Sequence, residues 1–105
     1  MAQFSVHRNS NAATRATFPF LLDVQNDMLN ELGTRVVVPL CPAAAMKGKL
    51  LRHLMPAFTI EGKQFAMMTP QLAGVSVKQL GPKVAELSGK RVEIVAALDL
   101  LITGI

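Results

Sequence analysis

Short apolar runs divided by polar, glycine- and proline-bearing breaks fill most of the chain, and one longer apolar run follows them. Gln3 to His7 alternates, with Phe4 and Val6 on one side, which reads as a short strand. Phe18 to Gln25 is a second apolar run. Its Pro19 belongs at a strand's beginning or edge, because proline cannot donate to a ladder. Thr34 to Leu40 carries three successive valines and is the clearest strand, with Pro39 limiting its far end. Ala57 to Ile60 and Lys63 to Met68 are spaced as a β-hairpin around Glu61-Gly62, with Gly62 free to take positive φ. On that register Phe58 and Ile60 share a face, as do Phe65 and Met67. Val75 to Leu80 reads as a further strand broken by Gly81-Pro82, after which Val84 to Leu87 leads into a final helix. Asn9 to Thr17 is small and polar, a flexible loop. Asn26 to Gly33 is a turn region carrying Met28 and Leu29. Ala43 to Leu54 begins as a short helix that Gly48 keeps from growing long.

The final run, Arg91 to Ile105, favours helix, with Ser88 placed to cap it and Gly104 to end it. One stripe holds Val92, Val95, Ala96 and Asp99 and ends near Ile102 and Thr103. The other holds Ile94, Ala97, Leu98, Leu101 and Ile105. A helix apolar almost all round is expected to be buried on most sides. It is too short, and too interrupted by Glu93 and Asp99, to span a membrane. Its apolar tip, Leu100 to Ile105, needs a core or a partner to cover it. Asp99 within such a helix is read two ways: bonded to a backbone group or across a dimer axis, or a polar anchor for a partner.

Five or six short strands and a terminal helix make the chain mainly β with α, a small barrel with one helix packed on it. Its 105 residues suit a single domain, 1–105. Half are hydrophobic and only 17% are charged, below the ~25% common in soluble domains, so some apolar surface is expected to meet a second copy or a partner. The net charge of +4 suits an acidic protein or a nucleic acid and chooses neither. The densest basic stretch is Lys47, Lys49, Arg52 and His53. One cysteine and the absence of a signal-like start fit a cytoplasmic protein.

Candidate chemistry is sparse. Cys41 has no histidine near it in sequence and reads as a packing residue. Nothing marks His7 or His53 as a base. No metal-ligand spacing or phosphate loop is present, and no cofactor is implied. Asp23 and Asp27 bracket Val24 to Asn26 and either orient a turn or meet a partner.

Taken in order, Q-F-S-V from Gln3, L-D-V-Q-N-D-M-L from Leu22, R-V-V-V-P-L from Arg35, M-M-T from Met67, V-A-E-L-S from Val84 and the final G-I resemble the CcdB family of bacterial toxins, from Gln3 to Ile105. The resemblance implies an SH3-like barrel with a C-terminal helix, shared with toxins of the Kid and MazF type. It implies a homodimer that binds the A subunit of DNA gyrase and traps the gyrase–DNA cleavage complex, without being an enzyme itself. It implies neutralisation by a CcdA-like antitoxin with an acidic disordered tail, and operator DNA bound only through the toxin–antitoxin complex. The gyrase contact it implies falls on Met28, Leu29, Asp99, Ile102, Thr103, Gly104 and Ile105, with Asp99 where the family commonly has Asn and Thr103 where the best-known member has Trp. Antitoxin contacts are expected at Arg8, Asn9 and Arg15, and the loop Asn9 to Thr17 differs from the family's in composition and length. Two alternatives stand beside this: an endoribonuclease on the same fold, using Arg15, Arg35, His53 and Thr69, and an inactive homologue that keeps antitoxin binding alone. A generic interaction barrel would explain the composition but not the ordered landmarks.

Overall fold

A computed structural model describes residues 2–46 and 51–104. Among the described residues seven antiparallel strands form one curled sheet, a half-barrel, followed by one α-helix. The strands are β1 (Ser5–Asn9), β2 (Phe20–Asp23), β3 (Thr34–Pro42), β4 (Ala57–Ile60), β5 (Lys63–Met67), β6 (Ala73–Ser76) and β7 (Leu80–Glu86), and the helix is α1 (Arg91–Thr103). The sheet order is β4-β5-β3-β2-β1-β7, with β6 also paired to β3. Alternate residues of these strands, Val6, Leu22, Val38, Leu40, Phe58, Ile60, Phe65 and Met67, fill the core with Ile94 and Ala97 of α1. No described helix is long and apolar enough to cross a membrane.

Several local expectations are corrected by the sheet. Pro39 does not limit β3, which continues to Pro42. The strand changes neighbours there: Thr34 to Val37 pair with β6, and Leu40 to Pro42 pair with β5. Pro39 falls in the gap between these two ladders, where a missing N–H costs nothing, while its carbonyl accepts from the Met68 amide at 3.0 Å. Likewise Gly81-Pro82 does not break a strand. It lies inside β7, an edge of the sheet, where proline is tolerated. The stretch expected as one strand from Val75 is instead the end of β6, a 3₁₀ turn over Val77–Gln79 and the start of β7. Val84 belongs to β7 rather than to a helical lead-in.

The β1–β7 register slips on both sides of His7. Gly81 packs so closely there that an added Cβ would stand 2.8 Å from the Arg8 carbonyl oxygen. His7 is buried. Its Nδ1 lies 2.9 Å from the Gly81 carbonyl, which can only accept, so Nδ1 carries the proton; Nε2 is buried without a partner among the described residues. In the β4–β5 turn both residues take positive φ, 52° at Glu61 and 81° at Gly62, as a mirror-image two-residue hairpin turn requires. The alanine-rich stretch forms only a 3₁₀ turn, Ala43–Met46. Residues 47–50, with Lys47 and Lys49, fall outside the described residues, and Arg52 to Leu54 form a turn, not a helix.

Helix α1 departs most from expectation. Ser88 opens a 3₁₀ turn, Ser88–Lys90, and does not cap α1; the N-cap is Lys90, which makes no side-chain capping bond. The helix is not buried on most sides. The stripe of Ile94, Ala97, Leu98 and Leu101 faces the protein, with Ile94 and Ala97 fully buried. Of the other stripe Val95 is half-buried against the core, but the rest faces out: Val92 is 79% exposed, Ile102 is 73% exposed, and Ala96 and Asp99 are exposed with them. One half-barrel offers the helix a single concave side, so only one of two apolar stripes finds cover.

Candidate functional site

The residues expected to meet a partner lie at two places. Met28 and Leu29 sit on a 3₁₀ turn, Asp27–Leu29, with Met28 89% exposed and Leu29 and Leu32 about half exposed. The loop needs support, because three large apolar side chains in water gain nothing from folding.

That support is a buried ion pair behind the loop. Arg35 of β3 and Asp23 of β2 are 1% and 0% exposed and meet at 2.8 Å. Arg35 also donates to the Asn30 side chain and, at 3.2 Å, to the Gln25 carbonyl. Its guanidinium lies 3.8 Å from the Asp27 carboxylate. The second Asp23 oxygen accepts from the Gln25 amide at 3.0 Å. The Gln25 side chain then bridges the loop, donating to the Leu29 carbonyl and accepting from the Val36 amide, both at 3.0 Å. Asn26 caps the turn, accepting from the Met28 amide at 2.8 Å. A guanidinium spreads five donors in one plane, so a single Arg35 can hold both ends of the loop. Asp23 and Asp27 thus have separate jobs: Asp23 is a buried counter-ion, and Asp27 ties the loop to the N-terminal segment by accepting from the Gln3 amide at 2.7 Å.

The second place is the end of α1. Gly104 takes φ 76° and its amide donates to the Leu100 carbonyl at 3.0 Å, a left-handed helix stop. Ile102, Thr103 and Gly104 are exposed; Ile105 lies outside the described residues. Thr103 donates its hydroxyl to the Asp99 carbonyl at 2.7 Å, so it is turned back along the helix. Asp99 is exposed, which removes the question of a buried lone carboxylate. The loop connects to the start of α1, not to its end, through the segment before β1. Gln3 is bonded to Asp27, and Phe4 next to it lies under the Arg91 guanidinium, 5.5 Å from ring centre to cation. Phe4 holds φ 69°, fixed by its amide to the Asp23 carbonyl at 2.6 Å and its carbonyl to the Leu87 amide at 2.8 Å.

The expected antitoxin contacts divide. Arg8 and Arg15 are exposed. Asn9 is buried and committed to the following loop, donating to Thr14 at 3.0 Å and to the Phe18 carbonyl at 2.9 Å, and accepting from the Asn11 amide. The loop expected to be flexible is therefore a run of turns stapled by its first residue. The ribonuclease grouping loses two members: Arg35 is spent on Asp23, and Thr69 is fully buried and bonded to the Leu54 carbonyl. Cys41 is buried, and burial pushes its thiol up from the ordinary value, against a nucleophilic role. Among the described residues no three His, Cys, Asp or Glu side chains gather as a metal site.

Sequence reasoning passed over the bracing roles of Arg35, Gln25 and Asn30. The signal was present: a basic residue opening the valine strand, facing a polar D-V-Q-N-D run between apolar neighbours. A family model described as "CcdB protein" matches residues 3–104. Matched over nearly its whole length, the chain belongs to the CcdB family, the toxins of toxin–antitoxin pairs.

Proposed function

We propose that this chain, folding as one domain over 1–105, is a cytoplasmic, non-enzymatic poison of DNA gyrase. It acts as a homodimer on the A subunit of gyrase, traps the DNA cleavage complex, and is neutralised by an antitoxin with an acidic disordered tail. Toxin and antitoxin together occupy operator DNA. The observation that carries this reading is the Met28 loop: an apolar side chain in full solvent, held by a buried Arg35–Asp23 pair. Buried ion pairs cost desolvation and are a poor way to gain stability; here the pair fixes a surface that only a partner can cover. Met28 and Leu29, with Asp99, Ile102, Thr103, Gly104 and Ile105, form the proposed gyrase contact. Arg8 and Arg15 form the proposed antitoxin contact, with Asn9 shaping the loop between them.

The test is incubation of purified protein with gyrase, plasmid and ATP, followed by detergent and protease. Linear DNA is the expected product. Deleting Thr103 to Ile105 is expected to abolish it while the circular dichroism spectrum stays unchanged. A truncated protein that still linearises plasmid at full strength would refute the contact assignment. The Thr103 hydroxyl, exposed but committed to the Asp99 carbonyl, favours a second reading, a homologue that binds antitoxin but not gyrase. It predicts antitoxin binding with no linear DNA.

A further inference from the structure

Met28, at 89%, is the most exposed large apolar side chain among the described residues. Its thioether therefore lies open to solvent, while the other sulfur-bearing side chains described are covered at least in part. Met55 is 9% exposed and Met67 is fully buried, Met46 and Met68 are half-buried, and Cys41 is buried. A cysteine is ordinarily the first sulfur to meet an oxidant, through its thiolate. Here burial pushes the Cys41 thiol up and withholds that thiolate, which leaves the exposed thioether.

Met28 is held where it is. Asn26 accepts from the Met28 amide at 2.8 Å and, through its carbonyl, from the Leu29 amide at 3.0 Å, and the Leu29 carbonyl accepts from the Gln25 side chain. The buried Arg35–Asp23 pair stands behind these bonds. The thioether is thus kept in water beside Leu29 and Leu32, themselves about half exposed. An oxygen added to this sulfur makes a flexible apolar side chain polar within an apolar patch. It costs the fold almost nothing, because the side chain is already solvated. The same oxygen on Met67 or Met55 would have to enter the core.

We propose that Met28 is a reversible oxidation site, and that its sulfoxide switches off the partner contact without unfolding the protein. This rests on the reading of the Met28 loop as part of the gyrase contact. The oxidant is hydrogen peroxide. The sulfur lone pair attacks one peroxide oxygen, and the S–O bond forms as the O–O bond breaks. The other oxygen takes the proton of the transferred hydroxyl and leaves as water. Sulfur gives up two electrons and the peroxide gains them. A methionine sulfoxide reductase reverses the step: two thiols become a disulfide, and the oxygen leaves as water. Affinity falls because a partner closing over the patch strips the sulfoxide oxygen of the water it bonds in the free protein.

The experiment treats the purified protein with graded hydrogen peroxide, removes the peroxide, and reads sulfoxide at each methionine by peptide mass spectrometry. Met28 is expected to oxidise about tenfold faster than Met55 and Met67, or more. The melting temperature of protein oxidised at Met28 should match that of the untreated parent. In the plasmid linearisation assay, the protein concentration giving half-maximal linear DNA should rise about tenfold on oxidation. It should return to the untreated value after a sulfoxide reductase and dithiothreitol. Met28→Leu is compared with its own untreated sample, and peroxide should leave the two equal. Met68→Leu keeps Met28 and should lose activity to peroxide as the parent does. Oxidation of Met28 no faster than of Met55 and Met67 would overturn the site. Met28 sulfoxide with undiminished linearisation, or a peroxide effect that persists in Met28→Leu, would overturn the switch. An untreated parent that yields no linear DNA would overturn the gyrase reading and the switch with it, while the mass spectra decide the oxidation site independently.

Discussion

At the scale of single residues, Arg35 and Gly81 matter out of proportion to their positions. Arg35→Met leaves the Asp23 carboxylate buried without its cation, and removing one partner of a buried pair costs about 3–5 kcal/mol. The urea midpoint should fall accordingly. Arg35→Lys should not restore it, because one ammonium cannot reach Asp23, Asn30 and the Gln25 carbonyl together. Gly81→Ala tests a different force. The new methyl meets backbone at 2.8 Å, and backbone cannot rotate aside, so β1 and β7 must separate locally. A loss of about 1–3 kcal/mol in a denaturant titration is expected.

At the scale of elements, the two stripes of α1 make opposite predictions. Ile94→Ala opens a cavity in the core and should cost about 2–5 kcal/mol. Val92→Lys, on the outward stripe, should move the melting temperature hardly at all. Composition cannot distinguish these stripes, since both read as apolar; only the single concave side of the sheet decides. The hairpin, by contrast, was legible. Two alternating runs and a two-residue break fix register and face together, and Phe58, Ile60, Phe65 and Met67 are buried as the period requires. The two prolines misled for one reason. A missing N–H ends a strand only where a neighbour needs that N–H. At Pro39 the neighbours change over, and β7 around Pro82 is a sheet edge; neither fact is local to the sequence. The same holds for the Arg35–Asp23 pair: each residue was visible, but a separation of 12 positions hides a contact that strand pairing creates.

At the scale of the whole molecule, β3 is paired on one side with β2, over Val37 to Leu40, and on its other side with β6 and then β5, while β7 is an edge with a slipped register. Hydrogen exchange should therefore find β3 amides the slowest of the sheet and β7 amides among the fastest of its strands. The pairing of β1 with β7 joins Ser5 to Glu86, 81 positions apart. A ribosome makes β1 early and β7 late, so the growing chain carries its first strand unpaired on that side until almost everything else has emerged. The helix that β7 leads into comes later still. The β1–β7 ladder and the outward helix stripe are thus the last parts of the fold to be completed.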